Sequence, residues 1–364
     1  MMGGRSNHPI PLIAGQLFQR PRGSVAVLVL WAMALLAVFA IYIGVGVRQR
    51  LDFLARIETR HDLRWIARAG VEKAMAGLAA FDDTNQGVAV SQSWSIGSPP
   101  GAEFPVGRGF VSVTAAYRPA DYLAQAAPDE SPQMRFGGED EQSKLNVNTA
   151  SRQSLVRLLL TLDIGDADEA DEVAAAIVDW RDADDEPDAN GAEDAYYRGL
   201  DPASECKDAA FESREELLQV RGMTPGLWQQ LAPYVTVFGS GSVNINTATR
   251  PVLAALGMSE SLLKKILEFR CGPDGAWATA DDGVFVRVNE IVAQLSRSVS
   301  LSSSEASELS AAVSQGQIST RSQFYSFQSV ARVPQRQNRC RIECVVEKNG
   351  NQLIVRQWRQ QYII

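Results

Sequence analysis

Residues 24–47 read SVAVLVLWAMALLAVFAIYIGVGV, a run of 24 residues without a charged side chain. A helix of that length measures about 36 Å and crosses a bilayer core of about 30 Å. The residues before the run include Arg5, Arg20 and Arg22 and no acid. Because cationic flanks stay on the cytoplasmic side, the sequence predicts a single-pass inner-membrane protein with a cytoplasmic N-terminus and the bulk of the chain outside.

The composition restricts what the exported part can be. A length of 364 residues suggests two globular units, and 45% apolar residues suffice for their cores. A formal net charge of −8 argues against a nucleic-acid partner, because such binding depends on Lys and Arg. Only two histidines occur, no Cys-x-x-Cys pair exists, and the serine-rich residues 296–304 contain no Gly-x-Ser-x-Gly. The sequence therefore predicts a protein that is not an enzyme.

The segment just before the apolar run resembles a processing site. Arg22, Gly23 and Ser24 are similar to the site where prepilin peptidase cuts after glycine in type IV pilins and pseudopilins. A cleavable secretory signal is excluded because its apolar core spans only about 7–15 residues, whereas an ordinary signal anchor stays an alternative. The resemblance implies cleavage between Gly23 and Ser24 and methylation of Ser24. Leu28 then stands fifth, where most pilins carry a glutamate; a misassigned cleavage site is the other explanation.

Helix and strand signals follow one another along the exported part. Residues 48–81 contain no proline and continue the apolar helix. The apolar stripe of this continuation consists of Leu51, Leu54, Trp65, Ile66, Ala69 and Ala76. Glu58 and Asp62 interrupt it, so we expect its middle stretch to be solvated. Gly109–Tyr117 alternates as a strand, and residues 340–348 and 352–358 flank Asn349-Gly350, a strong hairpin signal. Helix signals dominate in between, so the pattern predicts an α+β protein in which a large α-helical insertion interrupts a small β domain.

An internal repeat lies within the helical part. Residues 144–151 (KLNVNTAS) are echoed by residues 242–249 (SVNINTAT), and an apolar helical pattern follows each copy. Asn and Thr precede each helix as capping candidates. The two copies and the segments around them resemble the protein K family of the bacterial type II secretion system, whose members are minor pseudopilins.

The resemblance implies a division of the chain into six segments. They are a cytoplasmic prepilin leader (1–23), a transmembrane helix (24–47), its periplasmic continuation (48–81), the first part of a pseudopilin domain (82–143), an α-helical insertion with the two repeats (144–320) and the C-terminal strands of the pseudopilin domain (321–364).

A membrane-anchored competence-type DNA-binding protein is the alternative, because the same repeats look like helix-hairpin-helix units. Such units bind phosphate through the backbone N–H groups of a Gly-x-Gly hairpin. Here the hairpin comprises residues 220–226, and its second glycine, Gly226, is not where that motif needs it. Residues 139–221 also contain 23 acidic and 8 basic residues, a composition that repels DNA. We therefore expect no nucleic-acid partner.

The densest cluster of acids lies within residues 177–197, just past an apolar helix pattern. Carboxylates this close repel one another and the helix C-terminus, so a cation is expected; calcium accepts about six to eight oxygen ligands of mixed kinds. A solvated acidic loop is the alternative. The resemblance to the protein K calcium loop implies a structural calcium ion and a set of candidate ligands. They are Asp182, Asp184, Glu193 and Asp194, with Asp185 and Asn190 in reserve. Residues 272–282 are similar, but we expect an ordinary surface loop there.

The four cysteines allow one candidate disulfide, because an exported location permits such bonds. Cys340 and Cys344 lie about 13 Å apart along one predicted strand, too far to bond to each other. Cys206 and Cys271 both fall in the helical part and are the candidate pair, with free thiols as the alternative.

The family resemblance also implies a function. A minor pseudopilin at the tip of a pseudopilus initiates or caps assembly and aids the export of folded proteins across the outer membrane. A first subunit has no predecessor whose amino terminus a glutamate would neutralise, so Leu28 suits this position. The implied partners are proteins I and J of the same system, the inner-membrane platform and prepilin peptidase, with exoproteins and the secretin as further ones. The bulk of the chain is then periplasmic.

Overall fold

A computed structural model describes residues 23–82, 86–92, 94, 103–124 and 133–363. The predicted leader, apart from Gly23, lies outside these residues. The chain forms two compact units that meet in sequence between Thr59 and Arg60, and each is described by itself.

The first unit is the apolar part of helix α1, which runs from Gly23 to Ala80. Its large apolar side chains from Val25 to Ile57 are exposed. Within the part of the chain that the structure describes, α1 is the one helix long and apolar enough to cross a membrane. The predicted continuation of the helix beyond the apolar run is confirmed. Exposed apolar side chains on a fully hydrogen-bonded helix suit contact with lipid.

The second unit begins inside α1 and contains the strands and the remaining helices. The strands are β1 (Phe104–Val106), β2 (Gly109–Tyr117), β3 (Gln133–Phe136), β4 (Glu139–Asp140), β5 (Leu145–Asn146), β6 (Val235–Thr236), β7 (Val243–Asn244), β8 (Ile318–Ser319), β9 (Phe324–Arg332), β10 (Arg339–Asn349) and β11 (Gln352–Ile363). The helices are α2 (Arg152–Thr161), α3 (Ala167–Arg181), α4 (Asp194–Tyr197), α5 (Pro225–Leu231), α6 (Arg250–Ala255), α7 (Glu260–Arg270), α8 (Ile291–Ser298) and α9 (Ser303–Ser314).

An antiparallel sheet joins the two ends of this unit. Its order is β1-β2-β9-β10-β11, with β3 on β2 and β4 on β9. The predicted strand Gly109–Tyr117 and the predicted hairpin are confirmed. The turn lies one residue later than expected, because Asn349 pairs with Gln352 and the loop is Gly350-Asn351. Gly350 has φ +57°, a backbone conformation that glycine adopts without strain.

Helix α1 covers one face of the sheet from Leu63 onward. Leu63, Val71 and Leu78 are fully buried against strand residues such as Phe327. A Cβ on Gly70 would stand 2.2 Å from Ser329 Oγ, so helix and sheet can approach this closely only at a glycine. The predicted apolar stripe packs only in part, and the exposed Leu54 and Ile57 agree with the solvated stretch expected in its middle.

Of its six members only Ile66 is buried in the sheet core. Trp65 is 52% exposed and donates from Nε1 to His61 Nε2 at 2.9 Å. The face that packs is rotated away from the largest aromatic side chain of this stretch.

The helical insertion lies between β4 and β9 and contains both repeat copies. In the first copy β5 pairs in parallel with β6, and in the second β7 pairs in parallel with β8. Helices α2 and α6, which follow the copies, pack against each other in one shared core. Their N-cap residues are Ser151 and Thr249, so a threonine takes the cap position in the second copy as expected, and a serine takes it in the first.

This arrangement confirms the predicted α+β fold with a helical stalk and an inserted helical part. The residue limits given for the six segments stay predictions.

Candidate functional site

Helix α3 supplies the first carboxylate of the candidate site. Asp179 lies on the buried side of the helix beside Trp180 and is 1% exposed. The helix ends at Arg181, whose guanidinium donates to the carbonyl oxygen of Ala150 at 2.6 Å. The first repeat copy thus holds the helix end in place, and Asp182 follows as the C-terminal cap residue.

The returning loop closes over Asp179. The backbone N–H of Asp188 donates to Asp179 Oδ1 at 3.3 Å. A Cβ on Gly191 would stand 1.9 Å from Asp179 Oδ2, so only glycine fits there. Glu193, which is 2% exposed, follows directly. The loop therefore buries a second carboxylate next to the first.

A third segment brings Asp208 to the same place. The donor atoms of Glu193, Cys206 and Asp208 all lie within 4.8 Å of one another. Several buried carboxylate oxygens here have no hydrogen-bond partner: Asp179 Oδ2, Asp182 Oδ1, Glu193 Oε1, Glu193 Oε2 and Asp208 Oδ1. We call Asp179, Asp182, Glu193 and Asp208 the acidic pocket.

Burial and mutual repulsion disfavour the charged forms of these groups. Burial raises the pKa of Glu193 to about 7, and repulsion by the other three carboxylates adds to the shift. Burial also raises the pKa of Asp179 and of Asp182, and the neighbouring Arg152 and Arg181 oppose these shifts only in part. A buried carboxylate without a partner costs free energy, so the pocket favours a bound cation.

The donor set of the acidic pocket fits calcium. Calcium prefers oxygen ligands and tolerates several carboxylates together with backbone carbonyls and water. Glu193 and Asp208, whose ligand atoms lie within 4.8 Å of each other, would hold the ion, and the ion would neutralise their repulsion with the neighbouring Asp179 and Asp182. Its contribution would be structural, because it would tie the end of α3 to the two loop segments that follow.

The structure places two of the six predicted calcium ligands, Asp182 and Glu193, in the acidic pocket. Asp184 and Asp185 are exposed in the loop. The pocket also contains Asp179, which sequence reasoning missed because it falls on an apolar helix face.

The remaining predicted ligands bind other groups. Asp194 Oδ1 accepts from the backbone N–H of Cys206 at 2.8 Å, and its carboxylate pairs with Arg198. The Asn190 amide donates to Asp171 at 3.1 Å. Asp208, the other missed residue, lies beyond the acidic stretch in sequence, and no local pattern marks it. The ligand set itself stays a prediction.

The candidate disulfide is absent, since all four cysteines are free and buried. The Cys206 thiol lies beside the acidic pocket, with Sγ 3.8 Å from the carbonyl oxygen of Asp179. The Cys271 thiol lies 3.5 Å from the carbonyl oxygen of Tyr122. The two sulfur atoms contact different parts of the fold, so they do not bond.

The acidic residues of the loop 272–282 bond within their own segment. Asp282 accepts from the backbone N–H groups of Ala278 and Thr279 at 3.0 and 3.1 Å, and Asp281 accepts from the Thr279 hydroxyl at 2.8 Å. These hydrogen bonds compensate the carboxylates without an ion.

Comparisons with known proteins identify the class. The family model for type II secretion system protein K matches residues 123–240. A chain solved in the GspK-GspI-GspJ complex of the enterotoxigenic Escherichia coli type 2 secretion system superposes with a TM-score of 0.62 at 18% identity, covering 85% of this chain and 99% of that one. Together with the apolar helix, this fold defines a pseudopilin-type component of a secretion system.

Curated relatives are consistent with this class. The type II secretion system protein K of Pectobacterium carotovorum is 29% identical over 272 residues, which cover 72% of this chain and 78% of the relative. The Klebsiella pneumoniae protein is 28% identical over 65% of this chain and 69% of the relative, and the Aeromonas hydrophila protein is 43% identical over 27% and 30%. The family model, the curated relatives and the superposed chain all carry the name of type II secretion system protein K, so the chain is similar to this structural component of the system.

Proposed function

We propose that the protein is a minor pseudopilin at the tip of a type II secretion pseudopilus, where it initiates or caps assembly and aids the export of folded proteins across the outer membrane. The observation that carries the proposal is the combination, in one chain, of an exposed apolar helix and a sheet interrupted by a bulky helical insertion. Labelled full-length protein should appear at filament ends. Label distributed along the shaft would contradict the proposal.

The proposed topology has a cytoplasmic leader and a periplasmic bulk, with prepilin peptidase cutting after Gly23 and Ser24 becoming methylated. The basic, acid-free leader supports this orientation. N-terminal sequencing of the protein from cells with and without prepilin peptidase tests it. We expect Ser24 first in the former and the intact leader in the latter. A native chain that keeps its first 23 residues in both would refute the processing step.

The proposed partners are proteins I and J, the inner-membrane platform and, at the outer membrane, exoproteins and the secretin. The structural neighbour was solved in a GspK-GspI-GspJ complex, which supports the first two. Affinity purification of the full-length chain from membranes that co-express all three should recover proteins I and J together. Recovery of neither under those conditions would count against the assembly.

The proposed cofactor is a structural calcium ion in the acidic pocket. Four neighbouring acidic side chains with unpartnered buried oxygens support it. We expect calcium to raise the melting temperature of the full-length chain in detergent, and Glu193→Gln to remove most of that rise. The matched control is Asp282→Asn in the internally bonded loop, which should keep the response. An equal loss in both variants, or no response of the unaltered chain, would contradict the calcium site.

A further inference from the structure

Cys206 is held beside the acidic pocket from two directions. Its backbone N–H donates to Asp194 Oδ1 at 2.8 Å, and its thiol sulfur lies 3.8 Å from the Asp179 carbonyl oxygen. The residue is 8% exposed. The sulfur atom therefore has a fixed position close to carbonyl and carboxylate oxygens. Neither the acidic loop pattern nor a disulfide accounts for a cysteine at this position.

The sulfur atom lies next to two carboxylates whose buried oxygens could bind a metal ion. Glu193, Cys206 and Asp208 each offer one donor atom within 4.8 Å of the other two. Glu193 is 2% exposed, and neither of its oxygens accepts a hydrogen bond. Asp208 Oδ1 is also buried without a partner. Two carboxylates and one sulfur form a compact three-donor face on one side of the pocket.

We propose that Glu193, Cys206 and Asp208 bind a thiophilic divalent cation of the zinc class, with Cys206 as a thiolate ligand. Calcium takes oxygen ligands and gains nothing from sulfur, whereas zinc-class ions bind thiolate together with carboxylate. The inference rests on the proposed metal pocket, but not on calcium being its ion.

Binding requires a simple exchange at the sulfur atom. The Sγ–H bond breaks, the proton passes to water, and the metal–sulfur bond forms with no change of oxidation state. Because Glu193 and Asp208 serve both ions, the zinc-class ion and calcium compete for the pocket. Cys206 then determines which ion the pocket prefers.

Cobalt(II) is the probe, because a cobalt–thiolate bond gives a charge-transfer absorption band in the near ultraviolet that oxygen ligands do not give. Reduced full-length chain in detergent is titrated with cobalt alone. We expect the band to saturate at one ion per chain and to disappear when zinc is added. Cys206→Ser should lose the band, and the matched control Cys271→Ser, which alters a buried thiol away from the pocket, should keep it.

Two further measurements keep the test decisive. Asp208→Asn leaves the sulfur atom in place and should weaken cobalt binding by about 10-fold or more, because losing a ligand costs at least as much as losing an outer-shell partner. Folding of Cys206→Ser is checked by its cooperative urea unfolding, which does not depend on calcium. No band in the unaltered chain, or a band that survives Cys206→Ser, overturns the inference.

The outcome also separates this inference from the calcium proposal. Calcium stabilisation without a cobalt band refutes the thiophilic site alone. A cobalt band without calcium stabilisation supports the thiophilic site and removes calcium.

Discussion

The two repeat copies have the same hydrogen-bonded frame. In the first, the Asn148 amide donates to the Phe211 carbonyl oxygen, and its Oδ1 accepts from the Phe211 N–H. In the second, Asn246 makes the same pair of bonds with Phe285. One asparagine in each copy thus binds a distant backbone segment as another strand would, which explains why an amide side chain occupies this position twice.

The second helix after each copy is fixed in the same way. Arg181 at the end of α3 donates to the carbonyl oxygens of Val147 and Ala150, and Arg270 at the end of α7 donates to that of Ala248. Both helices therefore end against the turn of their own copy.

The copies differ in the loops that follow these arginines. At the end of α3 and in the loop after it, Asp179 Oδ2 and both Glu193 oxygens are buried without partners, whereas after α7 Asp281 and Asp282 bond within their own segment. The same frame therefore carries one loop that its own hydrogen bonds hold and one that leaves charges uncompensated. An acidic loop needs an ion only where burial removes its alternatives.

The copies also connect to the sheet through adjacent carboxylates. Asp140 accepts from Asn244 and Thr247 of the second copy, at 2.9 and 2.5 Å. Glu141 accepts from the hydroxyl of Thr236 at 2.7 Å, and Thr236 lies in β6, which pairs with the first copy. One substitution of Asp140 or Glu141 therefore removes contacts that connect one copy to the sheet.

The largest expected effect on stability is that of Glu141→Gln, which weakens the contact between the first copy and the sheet. Glu141 is 2% exposed and pairs with Lys144 at 2.8 Å. Removing the Glu141 charge leaves the buried Lys144 with the more exposed Glu139, at 3.2 Å, as its acidic partner, and we expect a loss of about 3 kcal/mol in the free energy of unfolding. Urea titration of the full-length chain measures it. The control Glu72→Gln alters an exposed pair with Arg68 and should cost roughly 0.5 kcal/mol or less.

The pH dependence of this pair has a definite sign. Burial opposes ionisation of Glu141, but Lys144 and Arg214 outweigh it and lower its pKa from 4.5 to about 2. The stability that the charged form contributes is therefore present above pH 4.5 and is lost as the pH falls to about 2. The difference between the unaltered chain and Glu141→Gln should shrink over this range. A constant difference would show that the charge is not the cause.

The sequence predicted the elements that local patterns encode. The uncharged run and the proline-free residues 48–81 together gave nearly the full extent of α1, and alternation gave β2 with its observed limits. The repeat was visible because both copies carry the same residues. The hydrogen bonds of its asparagines could not be predicted, because tertiary packing brings their partners Phe211 and Phe285 to them.

The packing face of α1 and the full acidic pocket could not be predicted. The face depends on Gly70, whose missing side chain admits Ser329, and an apolar stripe does not reveal such an approach. The density of acids pointed to Asp184 and Asp185, which are exposed. A dense run of charges in the sequence marks a segment that water solvates, and it does not mark the carboxylates that the fold buries. Asp179 is a ligand candidate because of its burial, a property of the folded chain.

An intermediate loss of stability should distinguish the asparagine hydrogen bonds of the two copies. Asn246 is 4% exposed, whereas Asn148 is only half buried. Replacing either by alanine leaves a phenylalanine N–H and C=O without partners. We expect Asn246→Ala to cost roughly 2 kcal/mol and Asn148→Ala about 1 kcal/mol, because water reaches the second site more easily. Urea titrations of both variants measure the difference. Equal costs would mean that burial does not separate the copies.

The smallest effect should reverse its sign with calcium. In chelator, above the Glu193 pKa of about 7, Glu193→Gln removes a buried charge without a partner and should raise the free energy of unfolding by about 1 kcal/mol. In excess calcium the same change removes a ligand and should lower it. Asp282→Asn loses a hydrogen bond in both conditions and should cost about 1 kcal/mol in each. A Glu193→Gln effect of one sign throughout would mean that the two loops do not differ in their need for an ion.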